Sequence, residues 1–320
     1  MRHRQCLNCL TPLRKRGISE VANAYEIAAM RRAIAISAQG LGSTSPNPPV
    51  GCVILDSDGR TVGEGYHVRK GESHAEVNAL TAAGKLAEGG TAVVTLEPCN
   101  HYGRTPPCRE ALVNANVARV LIAVMDPTSR GEGGAALLQR AGVVVEQDFL
   151  KGEALLVLGN WQASLNGGRP FITWIYEAGT DGKPNPNSAQ GIAFEEMDSL
   201  RGSYDLVISQ EGGIEEGVPG GHGNDVFHLP NRALGEDIDA MVKALNATGA
   251  RSILLSGAVD QFSRIASAGM IDQVISYLPR TSPSRSPGKD VGRVIAIPDG
   301  FRLTEVTRTA SRVRLTGRRT

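Results

Sequence analysis

The 320-residue chain carries 34 Lys and Arg against 33 Asp and Glu, a net charge of +1 that argues against nucleic acid as its main partner. No run of about 18 apolar residues is present, so no membrane span is expected. Abundant glycine, sparse aromatics and short apolar runs alternating with Ala-rich stretches predict α/β construction in about two domains.

Residues 1–22 read as a basic extension, with Arg2, Arg4, Arg14, Lys15 and Arg16 and no acid before Gly17. The extension lacks the apolar core and small-residue cleavage site of a secretory signal, so a cytoplasmic location is expected. Cys6 and Cys9 form a single C-x-x-C without a second pair nearby, which favours a solvated leader over a zinc knuckle or redox pair. Five cysteines, an odd number, suit a reducing compartment.

A first domain is expected over residues 23–148. Ala24 to Gln39 is an amphipathic helix with Ile27, Met30, Ile34 and Ala38 on one stripe and Gly40 ending it. Ser45 to Pro49 is a rigid turn that pins Asn47 between two prolines, where its amide can offer both a donor and an acceptor to a ring edge. Val50 to Leu55 is a buried strand, and Asp56 to Gly59 closes a hairpin onto Thr61 to Tyr66. A helix beginning at His74, a strand Thr91 to Leu96, a helix Arg109 to Ala115 and a strand Arg119 to Met125 follow. The domain closes with a helix from Gly134 to Ala141 and a strand from Val143 to Glu146. This alternation predicts a central sheet with helices on both faces.

The chemistry concentrates in His74-Ala75-Glu76 and in Glu97-Pro98-Cys99, with Cys108 nine residues after Cys99. One imidazole and two thiolates make a three-ligand zinc set that leaves a fourth tetrahedral position open. Zinc makes water at such a position nucleophilic near neutral pH. Glu76, two residues after the histidine, is placed to take the water's proton and pass it to a leaving amine, the logic of hydrolytic base deamination. The loop between the cysteines adds His101 and Arg104, polar groups that a purely structural zinc would not require.

These motifs, with Met30-Arg31-Arg32-Ala33, Ser45 to Gly51, Gly65-Tyr66-His67, His74 to Val77 and Pro98 to Cys108, resemble the riboflavin-biosynthesis bifunctional deaminase/reductase family, RibD. The resemblance covers residues 24–148 and implies a cytidine-deaminase-like three-layer domain. It implies zinc held by His74, Cys99 and Cys108, with Glu76 as proton shuttle. The substrate it implies is a diaminopyrimidinone carrying a ribosylamino 5′-phosphate, whose 2-amino group leaves as ammonia. By position, Asn47, His67, His101 and Arg104 match residues that hold the pyrimidine and the ribose phosphate. Arg104 stands where many relatives carry lysine.

Residues 149–168 read as a linker with a helix over Gly152 to Leu165, and residues 169–320 as a second domain opening on the strand Phe171 to Tyr176. Arg169-Pro170-Phe171, Leu200-Arg201, Asp205 to Ile208 and Met270 to Val274 resemble the family's dihydrofolate-reductase-like α/β domain. Its functional positions depart from the family pattern. Ile175 stands in place of a lysine, Gly179 to Gly182 in place of a Ser-Leu-Asp-Gly turn, and Ser256-Gly257-Ala258 in place of Glu-Gly-Gly. Asp272-Gln273 stands in place of Asp-Glu, and Gln210 to Asn224 is a Gly/Glu-rich loop. A degenerate reductase without NADPH is expected. Arg280 to Pro287 reads as a mobile loop, and the basic tail from Ala310 as a solvated end.

The leading reading is a zinc hydrolase acting on a small pyrimidine nucleotide, a homodimer or homotetramer with no membrane or nucleic-acid partner. A deaminase paralogue acting on a related pyrimidine or purine in specialised metabolism, and a complete bifunctional deaminase/NADPH reductase, are the alternatives.

Overall fold

The computed structural model describes residues 23–102, 106–129, 131–179, 183–185, 194–209, 212–221, 237–257, 260–278, 297–308 and 312–320. The basic extension with Cys6 and Cys9, Arg104, Thr180 to Gly182, Ala258 and Arg280 to Pro287 lie outside the described residues.

The first sheet is built from β1 (Gly51–Leu55), β2 (Thr61–Tyr66), β3 (Thr91–Leu96), β4 (Arg119–Val124) and β5 (Val144–Glu146), in the order β2-β1-β3-β4-β5. β1 is antiparallel to β2 and β3, whereas β3, β4 and β5 run parallel. Every residue of β1 is buried, and only the first residue of β3 and of β4 is not, as strands covered on both faces require. Around this sheet lie α1 (Ala24–Ser37), α2 (Ala75–Ala83), α3 (Cys108–Asn114), α4 (Gly133–Arg140) and α5 (Lys151–Gly167). α1 packs with α5, α2 with α3, and α3 with α4. This is the three-layer arrangement expected from the alternation of helices and strands.

α1 begins at a capping box, in which Asn23 Oδ1 accepts from the Glu26 N–H and the Glu26 carboxylate accepts from the Asn23 N–H. Glu26 is also paired with Arg119 at the start of β4, so the same carboxylate ties the helix to the sheet. α5, expected as part of a connection, carries Ala154, Leu158 and Trp161 into the core of the first sheet.

The second sheet contains β6 (Phe171–Glu177), β7 (Leu206–Ile208), β8 (Ile214–Glu216), β9 (Ser252–Ser256), β10 (Gln273–Leu278), β11 (Phe301–Arg308) and β12 (Val313–Arg319). Their order is β11-β12-β10-β6-β9-β7-β8, with β6, β7, β9 and β10 parallel. Helices α6 (Phe194–Arg201), α7 (Ile238–Ala247) and α8 (Asp260–Ser267) accompany them.

Two expectations need correction here. The basic tail is not a solvated end, because Val313–Arg319 pairs along its whole length with β10 and β11. Composition explains the error: Thr316 is buried, and arginines that read as solvated find partners at the sheet, Arg319 lying over the Phe301 ring at 4.6 Å. The Gly/Glu-rich stretch is not all loop either, since Ile214–Glu216 forms the edge strand β8 against β7.

Candidate metal centre and adjoining pocket

α2 is drawn unusually close to β2 by two glycines. A Cβ on Gly65 would lie 2.6 Å from the Ala75 carbonyl oxygen and 2.7 Å from Asn78 Cβ, and one on Gly63 would strike the backbone of Ala79 and Ala83. Only glycine permits that approach. The helix starts one residue later than expected, with His74 in the extended N-cap position, so its imidazole is free to face the loop after β3. Asn78, one turn into the helix, fastens this entry by donating through Nδ2 to the carbonyl oxygens of Tyr66 and Ser73 at 2.9 and 3.3 Å.

The loop after β3 supplies Cys99, and the first residue of α3 is Cys108. Their sulfurs stand 3.6 and 3.3 Å from His74 Nδ1, and the three ligand atoms lie within 4.8 Å of one another. A tetrahedral ion at about 2.3 Å from sulfur and about 2.0 Å from nitrogen would require an edge of roughly 3.5 Å, so this donor set fits zinc. The Cys108 N–H donates to Cys99 Sγ at 3.3 Å, a further bond suited to a thiolate. The hydrogen bond between the two thiols holds Cys99 down to about 4 and Cys108 well above the usual thiol range. The hydrogen bond with Cys99 raises His74.

Glu76 is 3% exposed, and burial pushes its carboxyl up to about 7, against an opposing effect of His74. It lines a cavity of about 280 Å³ together with His74, Cys99, Asn47, His67 and His101. The buried His67 has a defined orientation: Nδ1 is 3.2 Å from the Ser73 carbonyl and Nε2 is 3.4 Å from Asn47 Nδ2. Those partners suit a neutral ring that donates from Nδ1 and accepts at Nε2, and burial lowers its pKa in the same sense. Its ring meets that of His74 edge-on at 5.2 Å. His101 is exposed at the rim. Tyr102 is 71% exposed and donates its hydroxyl to the Glu110 carboxylate, away from any stacking role in the cavity.

Sequence reasoning missed several lining residues: Asp126, Thr128, Trp161, Leu165 and Arg251. Asp126 had a usable signal, as it lies two residues beyond the end of β4, where ligand crevices form in parallel sheets. Its Oδ1 accepts from the N–H and hydroxyl of Thr128 at 2.8 and 2.7 Å. Glu97, recognised only as part of the motif, is buried and accepts from the N–H groups of Ala135 and Asp126 at 3.0 and 3.3 Å. It therefore holds the loops at the ends of β3 and β4 together.

Residues 25–124 match the family model described as the cytidine and deoxycytidylate deaminase zinc-binding region. Over 155 residues the chain is 47% identical to the riboflavin biosynthesis protein RibD of Escherichia coli strain K12, covering 48% of this chain and 42% of that protein. The matched stretch thus spans less than half the length of that relative. Over 126 residues it is 48% identical to the diaminohydroxyphosphoribosylamino-pyrimidine deaminase of Buchnera aphidicola subsp. Acyrthosiphon pisum, covering 39% of this chain and 85% of that one. A solved structure of Acinetobacter baumannii RibD superposes with a TM-score of 0.71 at 26% identity, over 92% of this chain and 99% of that chain. The second sheet therefore shares the fold of a RibD C-terminal half as well. From the zinc-binding region, the coverage of the Buchnera relative and the fold together, this chain belongs to the RibD family.

Proposed function

We propose that this protein is a zinc-dependent hydrolase that deaminates a diaminopyrimidine ribosylamino 5′-phosphate, with the second domain no longer acting as a reductase. The observation that carries the reading is the convergence of His74, Cys99 and Cys108, with His74 and Cys99 lining a cavity also lined by the buried Glu76. In this reading His74 Nδ1 and the two thiolates hold zinc, which supplies the Lewis acidity that makes water nucleophilic at neutral pH. Glu76 takes the proton from the attacking water and delivers it to the amino group, which departs as ammonia while the ring carbon gains a carbonyl. Asn47 and His67, already hydrogen-bonded to each other, fix the pyrimidine edge. His101 at the rim and Arg104, by its place in the sequence, complete the grip on ring and ribose phosphate.

Three features support the loss of hydride transfer. Ile175, where the family pattern has lysine, is fully buried among Tyr204, Leu254 and Ile275. Asp272 is engaged structurally, accepting from Arg169 at 2.6 and 2.7 Å and from the Ile172 N–H at 2.8 Å. Gln273, the second member of that pair, is 3.2 Å from the Thr173 hydroxyl and carries no charge. A nucleic-acid base is disfavoured as substrate because the exposed Tyr102 is tied to Glu110.

The test is to supply zinc-loaded protein with the diaminopyrimidine nucleotide and assay ammonia. Stoichiometric release is expected; none from fully metallated protein would overturn the reading.

A further inference from the structure

The first domain does not enclose its own pocket. Arg251, immediately before β9 in the second sheet, lines the cavity that holds Glu76 and His74. It also lines a narrower crevice between the two sheets, of about 40 Å³, together with Ser45, Asn47 and Trp161. Its backbone is anchored at both ends: its N–H donates to Asp205 Oδ2 at 2.7 Å and its carbonyl accepts from Phe171 at 2.8 Å. The side chain therefore projects from a fixed point between β6 and β9.

Two buried polar atoms there have no partner. Arg251 Nε and Ser45 Oγ are shielded from solvent and make no hydrogen bond. Among the described residues the Arg251 guanidinium forms no ion pair, although Glu76, Glu97 and Asp126 line the same cavity. Arg251 is also the sole Lys or Arg among the cavity's described lining residues. An unsatisfied guanidinium donor and an unsatisfied hydroxyl belong to residues that line the same crevice, and Arg251 also lines the pocket rich in carboxylates; together they are the donor chemistry that an anionic oxygen group would satisfy. A guanidinium presents a planar fork of N–H groups matched to phosphate.

We propose that Arg251 binds the phosphate of the nucleotide substrate, with Ser45 as a neighbouring donor, so that the second domain completes the first domain's site. The proposal rests on the reading of the protein as a deaminase of a phosphorylated nucleotide. It assigns the second domain a role in substrate binding that needs no reductase chemistry. Trp161, whose indole N–H donates to the Pro46 carbonyl at 3.2 Å, links α5 to the Asn47 turn and lines both cavities with Arg251.

The experiment compares full-length, zinc-loaded wild type with Arg251→Met, which keeps the aliphatic bulk, and Arg251→Lys, which keeps the charge. Calorimetric titration with ribose 5-phosphate should show about 10- to 100-fold weaker binding in Arg251→Met, the range for a lost charge-assisted hydrogen bond, and a smaller loss in Arg251→Lys. In deamination assays KM for the nucleotide should rise by a similar factor while kcat and the KM of the dephosphorylated analogue stay near wild type. Equal losses for both substrates, unchanged ribose 5-phosphate binding in Arg251→Met, or no binding by wild type would each overturn the proposal. If wild type binds ribose 5-phosphate through Arg251 but releases no ammonia, the deaminase reading fails and the anion site stands.

Discussion

Replacing Glu76 by Gln keeps the side chain's shape inside the cavity and removes its ability to carry a proton. General acid/base catalysis contributes about 10²- to 10⁴-fold, so ammonia release should fall by that range while metal analysis still finds zinc. A variant with a near-normal rate would show that another group moves the proton. Cys99→Ser addresses the centre itself. Cys99 Sγ faces His74 Nδ1 and accepts the Cys108 N–H, so most of the zinc should be missing from purified protein, and full retention would refute the ligand assignment. His74, Glu76, Cys99 and Cys108 were legible because residue type and spacing alone restrict what such a set can do. Arg251 was not legible, since a single charged residue in a chain with 67 Lys, Arg, Asp and Glu carries no such restriction.

The position of α2 depends on a strand with no side chains where the helix touches it. Gly65→Val would drive its side chain into Ala75, Asn78 and Ala79. Overpacking of this kind costs about 1–3 kcal/mol, and because His74 and Glu76 stand at the helix's N-terminal end, zinc content should fall along with thermal stability. Gly59→Ala is a useful contrast, because Gly59 is crowded only distantly, by Tyr25 Cδ2 at 3.9 Å, although its φ of +86° still disfavours a side chain. It should lower the melting temperature and leave zinc bound. Wild-type stability and zinc content in Gly65→Val would refute the close-packing account. Most elements were readable from period and turn chemistry: β2 and β3 fall on the expected bounds, and β1 and β4 each differ by one residue at one end. β12 was not readable, because an arginine-rich strand announces itself by what it pairs with and composition points the other way.

At the level of the whole molecule the second domain keeps a seven-stranded sheet and its own apolar cores. Purified protein should release ammonia yet oxidise no NADPH as the deaminated product accumulates, and NADPH should not raise its melting temperature. Product-dependent NADPH oxidation would show that the cofactor rests on groups other than those the family pattern names. In the described residues no helix is long and apolar enough to cross a membrane, consistent with the absence of such a run in the sequence.

By itself the sequence determined the alternation of strands and helices, the family resemblance and the identity of the metal-ligand candidates. Each of these depends on local periodicity or on rare residue types at short separation. Only the tertiary structure decided which distant groups share the pocket: Trp161 from α5, Asp126 after β4 and Arg251 before β9. Their positions follow from how two sheets and a connecting helix pack, which depends on contacts between residues far apart along the chain, such as the Trp161–Pro46 hydrogen bond 115 positions apart. No local pattern encodes such separations, and the packing that brings those residues to one cavity exists only once the chain has folded.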